Sequence, residues 1–273
     1  MVWLRRRRAA IIGGWWLAAT FVLGCAEWKP APPTVPTLPA PKLPADAAVV
    51  EILLLPMPPT EDFWLDLDEA AVDQEARLKW AQNGLRAGLS GAELPIDLLP
   101  STAPGDEPAQ DTQQVGSELS RTHRQIHCRP GQRYEVHPRS QLAGEHILLY
   151  RGREGIEGRQ LSQPQPLFAM SVFPEGDGRL RIELTPEVQY GEFKQQWVSK
   201  DLAMRMDARR EILMLDHTRM SAKLLEGQAL IVAPMMPPWG LGELVLSGRA
   251  ADGSTDQTVM VIRVARRATS EQL

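Results

Sequence analysis

The sequence predicts a mainly β fold, an antiparallel sandwich or half-barrel that follows a small N-terminal strand–helix element. In the second half of the chain, apolar and polar residues alternate, as at Leu180, Ile182 and Leu184, which is the pattern of strands with one buried face. Short turn sequences such as PEGDG at 174–178 separate these runs. The 273 residues, 43% of them hydrophobic, are enough for an ordinary globular core.

The first 25 residues have the three parts of an export signal. A basic stretch at Arg5 to Arg8 precedes an apolar run from Ala9 to Leu23, and small residues follow. A helix of about 15 residues is about 22 Å long, shorter than the hydrocarbon core of about 30 Å. The pattern therefore favours a signal peptide over a permanent membrane span.

The end of this segment, Val22-Leu23-Gly24-Cys25, resembles the lipobox of bacterial lipoproteins. By that resemblance Cys25 is the lipid-bearing first residue of the mature chain and tethers it to a membrane. The expected location is the cell envelope, facing the periplasm or the exterior. Ordinary cleavage after Ala26 and an uncleaved anchor are the two alternatives.

Residues 26–47 form a proline-rich linker, with seven prolines between Lys29 and Pro44. Such a segment favours polyproline II, which extends about 3.1 Å per residue. It is therefore either a spacer between membrane and domain or a tail without a mechanical role.

A small α/β element is expected at 48–99. VVEILLL at 49–55 is a short apolar run typical of a buried strand. A helix is expected to begin at Asp66, with Glu69 completing a capping box, and to end near Gly84. Residues 100–117 lose all periodicity and predict a loop or linker.

A β-rich domain is expected at 118–268. Its predicted strands are 167–173, 179–184, 212–215, 220–224, 229–233, 243–246 and 259–264. Glu226-Gly227 and Asp252-Gly253 supply turns between some of them.

Residues 178–246 resemble the later part of the β-domain of bacterial secretins. The resemblance rests on Pro186-Glu187-Val188, on Glu226-Gly227-Gln228 before an apolar strand, and on the Gly-Leu-Gly sequence at 240–242. It implies a β-domain in this stretch. The ring-forming modules and membrane-spanning lip of secretins have no counterpart in the sequence, so a pore is not expected.

The chain also resembles a family of uncharacterised exported lipoproteins of planctomycete bacteria. One block spans Trp64, Asp66, Asp68, Glu69, Asn83, Gly84, Leu85 and Arg86, and the other comprises PEVQYGE and the later GLG. This resemblance implies an exported protein and no particular activity.

Charge and composition exclude some functions. Loss of Arg5 to Arg8 with the signal leaves 26 of the 30 basic residues against 34 acidic ones, a net charge of about −8, which disfavours nucleic acid as a partner. The chain has no G-x-S-x-G motif, and we expect neither a catalytic set nor a cofactor.

The candidate metal ligands are His123, His127, His137 and His146, with Cys128 beside the second of them. On a strand, His123 and His127 share a face while Cys128 points to the other, so a metal needs a further ligand from elsewhere. The alternative interpretation of Cys128 is a small buried apolar residue.

The sequence thus favours a membrane-tethered envelope lipoprotein with a non-catalytic binding, structural or assembly role. Its expected partners are the membrane, through the lipid, and another envelope protein. The alternative is a metal-binding protein or metal-dependent enzyme that uses the His123/His127 region.

Overall fold

The computed structural model describes residues 47–95, 98, 121–200, 203–250 and 252–267. The signal segment with Cys25, almost all of the proline-rich linker and the 100–117 loop lie outside the described residues.

Strands dominate the described chain, and two α-helices accompany them. The strands are β1 (Ala48–Met57), β2 (Leu85–Ser90), β3 (Thr122–Cys128), β4 (Tyr134–Val136), β5 (Glu145–Arg151), β6 (Ile156–Ser162), β7 (Gln165–Pro174), β8 (Leu180–Lys200), β9 (Ala203–Met214), β10 (Met220–Leu224), β11 (Ala229–Pro234), β12 (Ser247–Arg249) and β13 (Thr255–Arg267). The α-helices are α1 (Gln74–Ala81) and α2 (Gly240–Leu246), and short 3-10 helices span Asp62–Asp66 and Asp216–Thr218.

The six-stranded sheet has the order β2-β11-β13-β1-β3, with β12 added beside β13. Strand β1, which lies between β13 and β3, is buried on both faces. Ile52 belongs to the main apolar core, whereas Leu53 packs in a second cluster with Phe63, Trp64 and Leu98. Because apolar residues pack on both faces of β1, its sequence is almost continuously apolar rather than alternating.

The five-stranded sheet has the order β10-β8-β7-β4, with β9 also paired to β8, and β5 and β6 form a separate hairpin. Leu184 of β8 and Met170 of β7 share one core cluster with Ile52 and Ile262 of the six-stranded sheet. Residues 48–89 and the later strands therefore contribute to the same core. All strand pairs in the described part of the chain are antiparallel, and the predicted mainly β antiparallel class is confirmed.

The predicted helix start at Asp66 is wrong. Asp66 ends a 3-10 helix, and α1 begins at Gln74, where the Asp73 carboxylate accepts a hydrogen bond from the Ala76 amide at 2.9 Å. The reason is a competing backbone pairing, because Asp68 and Leu89 exchange two hydrogen bonds of 2.9 and 3.0 Å. That bridge holds the chain extended where the capping box predicted a helix.

The predicted strand at 243–246 is also wrong, since these residues form the end of α2. Leu241, Val245 and Leu246 are buried, a spacing that fits one face of a helix. A run of four residues such as ELVL is compatible with both structures, and sequence periodicity alone does not separate them.

The remaining predicted strands are found in β7, β8, β9, β10, β11 and β13, except that 179 lies just before β8 and 215 just after β9. None of the helices in the described residues has the length and apolar character needed to cross a membrane.

Candidate functional site

Asn83 joins three parts of the fold at the end of α1. Its side chain is buried; the amide nitrogen donates to the Lys79 carbonyl at 2.9 Å, and the amide oxygen accepts from the backbone N–H of Arg151 at 2.7 Å. The Asn83 carbonyl accepts from the Gly242 N–H at 3.0 Å. One residue therefore fixes the end of β5 and the start of α2 relative to α1.

Two glycines allow the same region to pack backbone against backbone. Gly84 has φ +77°, and a Cβ there would overlap the Trp239 carbonyl oxygen. A Cβ on Gly242 would overlap the Gly84 carbonyl oxygen. The close approach is therefore possible only without side chains at both positions, and it sets the Trp239 loop against the turn after α1.

We call the contact of Asn83 and Gly84 with Trp239 and Gly242 the junction. A cleft of about 720 Å³ lies beside it, between β5 and the start of α2. Ile147 and Leu149 of β5 line one side, and Pro238 and Trp239 line the other. The volume lies within the range of small-molecule and peptide pockets.

β5 carries large apolar side chains on both of its faces, although Glu145 and Arg151 also lie on the exposed one. Leu148 and Tyr150 are buried in the core, whereas Ile147 is 77% and Leu149 57% exposed. Trp239 across the cleft is 42% exposed. The cleft therefore presents three large apolar side chains to its surroundings, an arrangement typical of interaction surfaces.

Polar and charged residues share the lining with the apolar ones: Arg139, His146, Glu243, Ser247, Arg249 and Thr255. Arg139 is buried and donates from Nη1 to the Leu244 carbonyl at 3.1 Å. Ser247 is buried, and its Oγ has no hydrogen-bond partner among the described residues. A lining that combines large apolar side chains with charged and polar groups suits a protein segment that carries both apolar and polar residues.

The candidate metal ligands have separate partners. His123 Nε2 lies 2.6 Å from Glu51 Oε1, His137 Nε2 lies 3.5 Å from Glu135 Oε2, and the His146 ring contacts the Ala143 carbonyl at 3.0 Å. His123 and His127 share the exposed side of β3, as the alternation predicts. The described ranges contain no group of three His, Cys, Asp or Glu residues placed to hold a metal ion, so the geometry gives the metal hypothesis no support.

Cys128 is buried at the end of β3, and burial raises the pKa of its thiol to about 12. It packs in the main core as a small apolar residue. Cys25, the expected lipid site, lies outside the described residues.

A charged network occupies the β4 end of the five-stranded sheet. Arg133 pairs with Glu135 and, at 2.6 Å, with Glu187. Burial raises the pKa of Glu187 above its usual value, although Arg133 acts in the opposite direction. Burial favours a raised pKa for Glu135 as well, but the hydrogen bond and charge of Arg133 outweigh it and hold the pKa below its usual value. The same environment lowers the pKa of His137, mainly through burial.

Sequence reasoning missed both the junction and the cleft. The residues of the junction lie in two separate blocks of the sequence, Asn83-Gly84 and Gly240-Leu241-Gly242, which the fold brings into contact. The run Ile147-Leu148-Leu149-Tyr150, apolar on successive residues, was the available signal for a strand with two apolar faces.

Comparison with known proteins adds no relative. The chain matches no protein-family model, no curated protein and no solved structure. The resemblances to exported planctomycete lipoproteins and to the secretin β-domain therefore stay predictions.

Proposed function

We propose that this protein is a lipid-anchored protein of the cell envelope that binds another envelope protein and catalyses no reaction. The observation that carries the proposal is the outward apolar face of β5, with Ile147 and Leu149 exposed beside Trp239. Apolar surface leaves water favourably, by about 25 cal/mol per Å², so such a face favours association.

Trp239 is the expected centre of the binding energy. Tryptophan is enriched among the residues whose loss costs an interface most. Its backbone is held by the Gly84 and Gly242 junction, which limits the conformational entropy lost on binding. The occupant that fits this lining is a segment of a protein partner that has apolar residues for Ile147, Leu149 and Trp239 and polar residues for the charged groups beside them.

The support for the lipid anchor comes from the sequence. Cys25 ends a lipobox-like motif, and the prolines that follow it favour an extended spacer. Several buried acyl chains, at about 0.8 kcal/mol per methylene, hold a protein on a bilayer. The domain would then present its cleft outside the bilayer surface.

The anchor is tested by Cys25→Ser. We expect this change to move the protein from the membrane fraction to the soluble fraction and to abolish incorporation of labelled fatty acid. Unchanged fractionation would contradict the lipid anchor but would not test binding at the cleft.

Binding at the cleft is tested by co-purification of the full chain from solubilised envelopes. Trp239→Ala and the double change Ile147→Ser with Leu149→Ser should each lose the same bound protein. Leu65→Ser is the matched control because Leu65 is 91% exposed and lies away from the cleft lining. If the cleft variants retain the partner as the control does, the proposed surface is wrong.

A further inference from the structure

A second cleft, of about 440 Å³, is lined largely by lysine, arginine and histidine. We call it the basic cleft. Glu154 and Asp216 adjoin it in sequence, but no Asp or Glu of the described residues is part of its lining. The whole chain has 34 acidic against 30 basic residues, so this concentration of positive charge differs from the composition. The four residues that supply it are Lys79, Arg151, Arg153 and His217.

The basic cleft lies among three elements that hydrogen bonds join in pairs. The Trp80 indole N–H of α1 donates to the carbonyl of Thr218, in the 3-10 helix Asp216–Thr218, at 2.5 Å. From the same 3-10 helix, His217 Nε2 donates to the Arg151 carbonyl at 2.8 Å. The Asn83 side chain, just after α1, accepts from the Arg151 N–H at 2.7 Å. The backbone around the cleft is therefore fixed before a ligand arrives, which lowers the entropy cost of binding.

Two arginines of the basic cleft have guanidinium groups that can take a ligand. Lys79 pairs with Glu75 at 2.7 Å, but the Glu75 side chain is 78% exposed, and exposed pairs of this kind are weak. Arg151 and Arg153 are exposed, and neither forms an ion pair in the described chain. A bound anion would therefore not have to break a strong ion pair.

We propose that the basic cleft binds a phosphate group, with Arg151 and Arg153 as its ligands and Lys79 as a third positive charge. Guanidinium groups form bidentate hydrogen bonds with phosphate oxygens. A phosphate monoester carries a charge of about −1.5 to −2 at neutral pH, which several cations together neutralise. The group belongs to a soluble phosphate ester or to the headgroup of an anionic phospholipid. This site is independent of the proposed partner protein, because the two clefts share no lining residue.

The first test is a calorimetric titration of inorganic phosphate into the full chain, in non-ionic detergent and at constant ionic strength. We expect one saturable site per chain. Arg153→Glu should weaken binding about tenfold or more, because it replaces a ligand of the phosphate by a like charge. Arg153 lies in an exposed turn, so the fold should tolerate the change. A wild-type chain without saturable phosphate binding would overturn the proposal.

The matched control is Arg129→Glu. Arg129 is also an exposed arginine, in the turn after β3, and it is not part of the lining of the basic cleft. The two variants change the net charge of the chain by the same amount. Because salt screens distant charges, the control should keep its phosphate affinity within about twofold. Equal losses for the two variants would show that binding follows net charge, and would contradict a site at the basic cleft.

A second comparison identifies the source of the phosphate group, in a Cys25→Ser background that removes the expected lipid. Binding to phosphatidylcholine vesicles that contain phosphatidic acid, lost in Arg153→Glu and kept in Arg129→Glu, would assign the site to a lipid headgroup. Binding of glycerol phosphate with the same dependence, and no binding to the vesicles, would assign it to a soluble ester. If neither probe binds, or if the two variants bind both probes equally, the proposal is wrong.

Discussion

β1 and β5 have similar sequences and opposite surroundings. Both are apolar on successive residues, yet Leu53 of β1 is 3% exposed and Leu149 of β5 is 57% exposed. β1 lies between two sheet neighbours with Phe63 and Trp64 over its second face. A strand with large apolar side chains on both faces is fully buried only where other residues pack on each face. Among the described residues, β1 has such packing on both faces and β5 on one.

The largest expected effect is on the covered strand. Leu53→Ala should lower the free energy of unfolding by about 2–5 kcal/mol, because it removes buried methyl groups and leaves a cavity beneath Phe63 and Trp64. Denaturant unfolding of the purified domain measures the change. A loss below about 1 kcal/mol would show that the second cluster does not cover β1.

The next effect concerns the junction that fixes β5 against the Trp239 loop. Gly84→Ala should destabilise the fold by about 1–3 kcal/mol, because φ is +77° and the new methyl would overlap the Trp239 carbonyl. Trp239 fluorescence and thermal unfolding check it.

The matched control for this change is Gly176→Ala. No atom of the described residues lies within 4 Å of a Cβ at that position, so its effect should stay within about 0.5 kcal/mol. Equal effects at the two glycines would contradict the close packing of the junction.

Burial has the opposite effect on a charged side chain such as Glu187, because surroundings that stabilise a leucine destabilise an ionised carboxylate. The raised pKa of Glu187 means that its stability contribution is present below its usual pKa of 4.5 and is lost as pH rises through the folded-state value. Glu187→Gln mimics the protonated form. It should therefore gain stability relative to wild type as pH rises from 4 toward 7.

Unfolding free energies of the two proteins at several pH values measure this trend. A relative stability that falls with pH would mean that the Arg133 ion pair outweighs the burial of Glu187.

The smallest expected effect is on the exposed face. Leu149→Ala should change the free energy of unfolding by about 0.5 kcal/mol or less, because the side chain is largely in water. The same denaturant titration as for Leu53→Ala compares the two leucines directly. A loss of unfolding free energy as large as that of Leu53→Ala would contradict the difference in burial between β1 and β5.

Much of the fold follows from local pattern. The alternation of Leu180, Ile182 and Leu184 predicts the first part of β8, and Met220 to Leu224 is a strand with the predicted ends. These strands have one buried face, so the period of their sequence reports their environment directly.

The errors arise where a distant partner decides the structure. The bridge between Asp68 and Leu89 overrides a local capping box, and the contact between Gly84 and Gly242 joins positions far apart in sequence. Neither pairing leaves a periodic signal. For the same reason the cleft could not be predicted from the sequence.

The most direct test of the central claim is site-specific photocross-linking in intact cells. A photoreactive amino acid at Ile147, on the exposed face of β5, should yield one discrete covalent adduct with another envelope protein, and the same group at Leu65 should yield none. No adduct at 147, or the same adduct from both positions, would contradict a partner that covers β5.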